Sequence, residues 1–286
     1  MNPVDLNASD LQGLVATALA EDLGSRGDVT SDWLLPDETK GTAVIVAKQE
    51  GIIAGLPVAQ KVFETVDQEL VFTPFVRDGD RLQRNTKVAQ IAGSARGILT
   101  AERTALNFLQ RLSGIATLTS QYVAQTQGTK ARTLDTRKTT PGLRHLEKYA
   151  VRMGGGLNHR MGLHDMVLIK ENHIEAVGSL ARAVTLVRER SSRDNLQLSV
   201  EVETRTLQEV SEALESQVDR IMLDNMPLSE IQEAVRLVGG KVEVEVSGGV
   251  TLANVRAIAE TGVDYISVGA LTHSAPALDL SLLMGR

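Results

Sequence analysis

Four cations, Arg137, Lys138, Arg160 and Lys170, fall within one stretch of this sequence that also holds four of its five histidines. Cations gathered this way suit a small, highly charged anion. Arg is well matched to carboxylate and phosphate because its planar fork donates two parallel hydrogen bonds. Residues 130–173 carry nine Lys/Arg (Lys130, Arg132, Arg137, Lys138, Arg144, Lys148, Arg152, Arg160, Lys170). The same window has four acids (Asp135, Glu147, Asp165, Glu171), for a local charge of +5. The whole 286-residue chain carries −6, so the remainder carries −11. An acidic protein with one cationic stretch is a poor general nucleic-acid binder but a good host for an anionic small molecule.

Those cations need elements to position them. Beyond residue 130, strand-like runs fall at 133–135, 166–169, 198–203, 219–223, 242–246 and 264–268, mostly separated by amphipathic helical segments. The last four centre near Val200, Met222, Val244 and Ile266, 22 residues apart, one strand and one short helix per repeat. Alternating βαβα implies parallel strands with crossover helices. A full eightfold barrel needs about 250 residues. The segment is too short for that, so the expectation is α/β, an incomplete six- or seven-stranded parallel barrel. An open doubly wound sheet is the alternative, although no Gly-x-Gly-x-x-Gly dinucleotide fingerprint is present.

Residues 1–110 read as an α+β unit. Ser9 and Gln12 form a capping box before a helix striped by Leu11, Leu14, Val15, Ala18 and Leu19. A strand covers 42–53, and a helix starts near Pro57. Short β segments follow at Leu70–Val76 and Lys87–Ile91. A helix over 100–113 buries Ala101, Ala105, Phe108, Leu109 and Leu112. It shows Arg103, Asn107 and Gln110 on a polar face and stops at Gly114.

In α/β barrels chemistry sits at the C-terminal ends of the strands. Here those ends read Asp135-Thr136-Arg137-Lys138, Lys170, Glu201 and Glu203, Asp224, Ser247-Gly248-Gly249 and Gly269-Ala270. The Ser247-Gly248-Gly249 turn leads into a helix near Thr251 and suits phosphate. Glu203 and Asp224 could hold Mg²⁺ beside a phosphorylated substrate. Gly154-Gly155-Gly156 suggests a loop over the site. Each feature has a plainer reading: a tight turn for Gly-Gly, a solvated carboxylate for Glu203, an ion pair with Glu171 or Glu203 for Lys170. The argument for a site is their common position. There is no Cys, which excludes disulfides, thiol nucleophiles and Cys-ligated metals. His145, His159, His164 and His173 match no zinc spacing. No signal peptide or 18-residue apolar run is evident, so the expected compartment is the cytoplasm.

The string Thr136-Arg137-Lys138-Thr139-Thr140-Pro141-Gly142-Leu143-Arg144 is followed by Glu147-Lys148-Tyr149-Ala150-Val151, Gly154 to Arg160 and Leu168-Ile169-Lys170-Glu171-Asn172-His173-Ile174. With Glu102 to Asn107, Val246 to Gly249 and Val268 to Ser274, it closely resembles the quinolinate phosphoribosyltransferase family. The resemblance covers nearly the whole chain. It implies an N-terminal α+β sandwich domain, residues 1–113, and an incomplete barrel, residues 114–286, whose C-terminal tail can pack back on the first domain. It implies transfer of phosphoribosyl from 5-phosphoribosyl 1-pyrophosphate to quinolinate with decarboxylation, with Mg²⁺ as cofactor, in a homodimer or an assembly of dimers such as a hexamer. It places Arg137, His159, Arg160 and Lys170 at quinolinate, with Thr136 beside them, and brings Arg103 from the partner subunit. Lys138 and Lys170 meet substrate and pyrophosphate charge. Glu203 and Asp224 hold ribose hydroxyls or Mg²⁺, Glu203 being preferred to Glu201. Ser247, Gly248, Gly249, Gly269, Ala270, Leu271, Thr272 and His273 hold the 5-phosphate. Three rival readings remain: a phosphoribosyltransferase for nicotinate or another acid, a Schiff-base aldolase using Lys170, and a non-enzymatic RNA- or protein-binding module. The last lacks stacking aromatics, Tyr149 being alone in the window.

Overall fold

The computed structural model describes residues 8–285, with side chains from Leu11 onward. In chain order the first elements are α1 (Ala8–Leu23), α2 (Val29–Leu34), β1 (Lys40–Ala47), β2 (Gly51–Ile52), α3 (Leu56–Val66), β3 (Val71–Pro74), β4 (Arg81–Leu82), β5 (Lys87–Ser94) and α4 (Ala95–Thr126). There follow β6 (Arg132–Leu134), α5 (Arg144–Met153), β7 (Val167–Ile169), α6 (Glu171–Val177), α7 (Leu180–Arg193), β8 (Val200–Thr204), α8 (Leu207–Glu215) and β9 (Arg220–Asp224). The chain ends with α9 (Leu228–Val238), β10 (Glu243–Ser247), α10 (Val255–Glu260), β11 (Tyr265–Ser267), α11 (Ala270–His273) and β12 (Leu280–Met284). Two compact units result: residues 1–120, 140–155 and 274–286, and residues 121–139 and 156–273.

The first unit is built on an antiparallel sheet of order β12-β1-β5-β3. The last strand of the chain thus pairs with the first. α1 packs on α3 through a stripe in which Leu11, Val15 and Leu19 are buried, the i, i+4, i+8 spacing of one helix face. The Ser9 side chain of the expected capping box lies outside the described residues. α3 has Pro near its start and buries Val58, Val62 and Phe63. Full burial of such a side chain contributes about 1.5–3 kcal/mol.

The helix expected to stop at Gly114 runs on to Thr126. Glycine stands at 114 because a Cβ there would lie 2.0 Å from the Pro276 carbonyl oxygen, where the C-terminal segment crosses the helix. The polar face of α4 is only partly solvated: Arg103 and Asn107 are exposed, but Gln110 donates to the Leu280 carbonyl at 2.7 Å. Gly154 opens the short connection from α5 to Leu157. It caps α5, with Ala116 and Thr119 of α4 against its Cα.

The second unit is a parallel sheet of order β6-β11-β10-β9-β8-β7. Its first strand pairs with its last, and intervening neighbours are consecutive in sequence. That is the order of a barrel and excludes a doubly wound sheet, whose order reverses in the middle. A seventh stave is reduced to one parallel bridge, Leu134 to Leu157. Among the described residues, no helix is long and apolar enough to cross a membrane.

Candidate active site

Because side chains alternate along a strand, residues 201 and 203, 220, 222 and 224, 243, 245 and 247, and 265 and 267 share one face of the parallel sheet. This face forms layers. At the lower end the Arg220 guanidinium stacks over the Tyr265 ring at 4.1 Å and binds Glu243 at 2.8 Å. Above it is a buried polar cluster. His159 Nε2 stands 3.1 Å from Glu201 Oε2 and 3.5 Å from Glu245 Oε1. Ser267 donates its hydroxyl to Glu245 at 2.5 Å, and Arg220 reaches Glu245 at 3.1 Å.

The top layer, at the C-terminal strand ends, holds the residues singled out from sequence. Lys170, one residue past β7, places Nζ 3.0 Å from Glu203 Oε2. A carboxylate neighbour at that distance differs from the apolar pocket that activates a Schiff-base lysine. Glu203 lies at the mouth, and Glu201 is fully buried in the cluster below. Asp224 and Ser247 end adjacent strands in register. The Thr136 hydroxyl accepts the Lys138 N–H at 3.0 Å, and the Thr272 hydroxyl donates to the Lys138 carbonyl at 2.8 Å, tying the top of β6 to α11. Lys138 Cδ and His273 Nε2 converge on Gly269, 3.0 and 3.3 Å from where a Cβ would stand. Ala270 and Leu271 open α11. Arg103 lies on α4 in the other unit, with its side chain exposed.

Arg137 and Arg160 carry the clearest signal. Each has a buried Nε with no hydrogen-bond partner. Burial pulls the Arg160 guanidinium below its usual range, and the like charge of Arg137 pulls it further. Buried donors left unmade are costly, and adjacent like charges add to the cost. An anion placed between the two would relieve both.

Asn225, at φ +55°, follows Asp224 and gives no motif to recognise. Its amide donates to Asp224 Oδ2 at 2.8 Å, and its N–H donates to the Ser247 carbonyl at 2.9 Å. Gly248, at φ +88°, is required beside it: a Cβ would lie 2.2 Å from Asn225 Oδ1. The buried Glu201–Glu245 cluster likewise corresponds to no motif. Its signal was the alternation of Glu at 201/203 and 243/245 with apolar residues. Among the described residues the one metal-competent group is His159, Glu201 and Glu245.

Burial lifts both carboxyls of this cluster. Glu201 rises to about 7 through desolvation, and Glu245 rises to about 7 through desolvation and the neighbouring Glu201 charge. The two carboxyls face the same His159 Nε2, at 3.1 and 3.5 Å, so their charges repel and protonation of either is favoured. The folded state therefore binds more protons than the unfolded state between their ordinary value near 4.5 and about 7. Stability from this cluster is complete below that window and is lost as pH rises through it. Glu245→Gln removes one titrating group, so thermal melts of the variant between pH 5 and pH 8, both taken as approximate working values, should fall less steeply with pH than those of the parent. Parallel melting curves for the two proteins would contradict the raised titration of this pair.

Fold and strand-end chemistry together define an α/β-barrel enzyme that handles strongly anionic substrates. Residues 115–283 match the model of the quinolinate phosphoribosyl transferase C-terminal domain, and residues 28–113 match that of the N-terminal domain. The chain belongs to the quinolinate phosphoribosyltransferase family. It is 48% identical over 288 residues to quinolinate phosphoribosyltransferase [decarboxylating] 2a, mitochondrial, of Nicotiana tabacum, covering 96% of this chain and 82% of that protein. It is 47% identical over 271 residues to a probable nicotinate-nucleotide pyrophosphorylase [carboxylating] of Synechocystis, covering 94% and 90%. The solved structure of the nicotinate-nucleotide pyrophosphorylase of Francisella tularensis superposes with a TM-score of 0.95 at 41% identity over 100% of both chains.

Proposed function

We propose that the protein transfers phosphoribosyl from 5-phosphoribosyl 1-pyrophosphate to quinolinate, releasing pyrophosphate and CO₂ and giving nicotinate mononucleotide for NAD synthesis. Family membership supports the reaction. The paired, unpartnered guanidinium Nε groups of Arg137 and Arg160 carry the choice of acid. A ring with two adjacent carboxylates can satisfy both, whereas nicotinate, with one carboxylate, leaves a buried cation unmatched.

The pyridine nitrogen attacks the anomeric carbon, and the C–O bond electrons leave with pyrophosphate. Positive charge develops on the ribose, as in glycoside chemistry. Glu203 and Asp224 sit where they can stabilise it and hold the ribose hydroxyls. Lys138 and Lys170 face the departing pyrophosphate, an electrostatic role of the kind that usually dominates. Glu203 and Asp224 offer hard oxygen donors near the ends of adjacent strands. They fit Mg²⁺, which when bound supplies further charge neutralisation at pyrophosphate. The Ser247-Gly248-Gly249 turn and residues 269–273 hold the 5-phosphate. Once the ring nitrogen is quaternary, the C–C bond to the 2-carboxylate breaks, its electrons enter the ring, and a proton replaces CO₂. Arg137, Arg160 and Lys170 orient the ring, with His159 next to Arg160 in the chain and bonded to its N–H.

Quinolinate labelled in its 2-carboxylate, with 5-phosphoribosyl 1-pyrophosphate and Mg²⁺, should yield labelled CO₂ and nicotinate mononucleotide in equal amounts. Nucleotide formation from nicotinate but not from quinolinate would sink the assignment. We also place a homodimer, alone or as the unit of a hexamer, in this proposal, with Arg103 of a second subunit entering the site. Its support is the exposure of Arg103 on α4 and the charge of the acid to be bound. Mixed Arg103→Ala and Lys138→Ala proteins, each inactive alone, should regain about a quarter of parental activity through hybrid sites, the statistical share expected after random exchange. Absence of recovery despite verified subunit exchange would remove the shared site. A cytoplasmic location belongs to the same proposal.

A further inference from the structure

The barrel of the second unit is not closed by backbone pairing. On one side of β6 is β11, and on the other is the single bridge to Leu157. β7 ends the opposite edge and pairs only with β8. Sheet edges require other partners for their backbone groups. Backbone of Leu157 pairs with the edge of β6, and between that segment and β7 the link is made by side chains. The Asp135 carboxylate accepts Asn158 Nδ2 at 2.5 Å and the His159 N–H at 2.9 Å. His159 Nδ1 accepts the Arg160 N–H at 2.8 Å. That leaves the ring proton on Nε2, directed at Glu201 and Glu245. Arg160 then crosses to the other edge, where Nη1 donates to the carbonyl of Met166, just before β7.

Arg160 needs such anchoring, because the neighbouring Arg137 guanidinium repels it. Both ring nitrogens of His159 are engaged, one with the backbone and one with buried carboxylates. Glu245 is itself fixed from two further strands, by Ser267 of β11 and Arg220 of β9. We propose that Glu245, Glu201 and His159 act as a positioning cluster that stands in for the missing barrel ladder and sets where the Arg160 guanidinium meets the dicarboxylate. The proposal rests on the reading that Arg160 binds quinolinate. Glu245 touches no substrate in it and acts only through His159 and the 158–160 segment.

The test uses the full-length protein and equilibrium binding of quinolinate. Glu245→Gln keeps shape and removes charge. It should raise the quinolinate Kd about tenfold while leaving the KM for 5-phosphoribosyl 1-pyrophosphate within about twofold, since a small misplacement of a binding group is enough for such a loss. Ser267→Ala frees Glu245 without altering it, and should produce the same split should Glu245→Gln fold poorly. In an Arg160→Lys background, Glu245→Gln should change the quinolinate Kd by less than about twofold, because coupled residues are not additive. A full tenfold loss in both backgrounds, or equal losses for both substrates, would overturn the positioning role and leave the cluster as a fold element only. Undiminished quinolinate affinity in Arg160→Lys alone would instead refute the placement of Arg160 at the acid, and the positioning role would fall with it.

Discussion

Arg160→Ala should lower kcat/KM for quinolinate by about a hundred- to a thousandfold, the cost of truncating one member of a buried charge-assisted pair. The KM for 5-phosphoribosyl 1-pyrophosphate should stay within about threefold, because the proposed role of Arg160 is at the acid and not at the phosphates. The reason is local. Arg160 is 6% exposed, and its Nε has no partner within the protein. Its loss relieves Arg137 of a repelling neighbour but leaves one carboxylate of the acid buried without a counter-charge. Arg160→Lys should recover only part of the activity, since an ammonium cannot supply two parallel donors. Steady-state kinetics with each substrate varied in turn provides the check. Equal losses toward both substrates would mean that the substitution damages the barrel rather than the pocket.

Gly248→Ala should have the opposite signature. It should reduce kcat/KM for 5-phosphoribosyl 1-pyrophosphate by about a hundredfold while quinolinate binding is retained, as expected when a positioning element shifts by about an ångström. Two effects combine. The backbone at φ +88° disfavours any side chain, and the new Cβ would fall 2.2 Å from Asn225 Oδ1. Asn225 must move, and its amide bond to Asp224 goes with it. One methyl group therefore disturbs both the phosphate turn and the carboxylate assigned to the ribose. Asn225→Gly in the same protein removes the clash, and position 225 already has a positive φ that glycine adopts readily. The double variant should recover affinity for the phosphoribosyl donor but not kcat, since Asp224 remains unsupported. Unchanged kinetics in Gly248→Ala would argue against this turn as the 5-phosphate site.

Much of this site was legible because barrels concentrate chemistry at one end of regularly spaced strands. The repeat near Val200, Met222, Val244 and Ile266 falls within β8 to β11, and Lys170, Asp224 and Ser247 sit at strand ends as expected. The charge window was a cruder guide. Arg144, Lys148 and Arg152 lie on α5 in the first unit, where Lys148 is fully buried, and Glu147 pairs with Arg111 at 2.9 Å. Charge counted along the chain does not separate a buried helix position such as Lys148 from the cations at strand ends. Gly114 misled for a related reason. A glycine after an amphipathic run reads as a stop, but here it admits a crossing segment that is distant in sequence.

The order of elements, the incomplete barrel, the family and the cationic set at the strand ends were readable along the chain. These follow from periodicity, spacing and local strings, which need no knowledge of what packs against what. Tertiary structure alone decided which carboxylate faces the mouth, since Glu201 and Glu203 share a strand face and differ only in depth. It also decided that His159 is held by buried acids, that Asn225 supports Asp224 and Gly248, and that Arg137 and Arg160 crowd each other with donors unmet. Each of these depends on distances between residues far apart in the chain, and a buried polar group takes its charge, orientation and role from such neighbours.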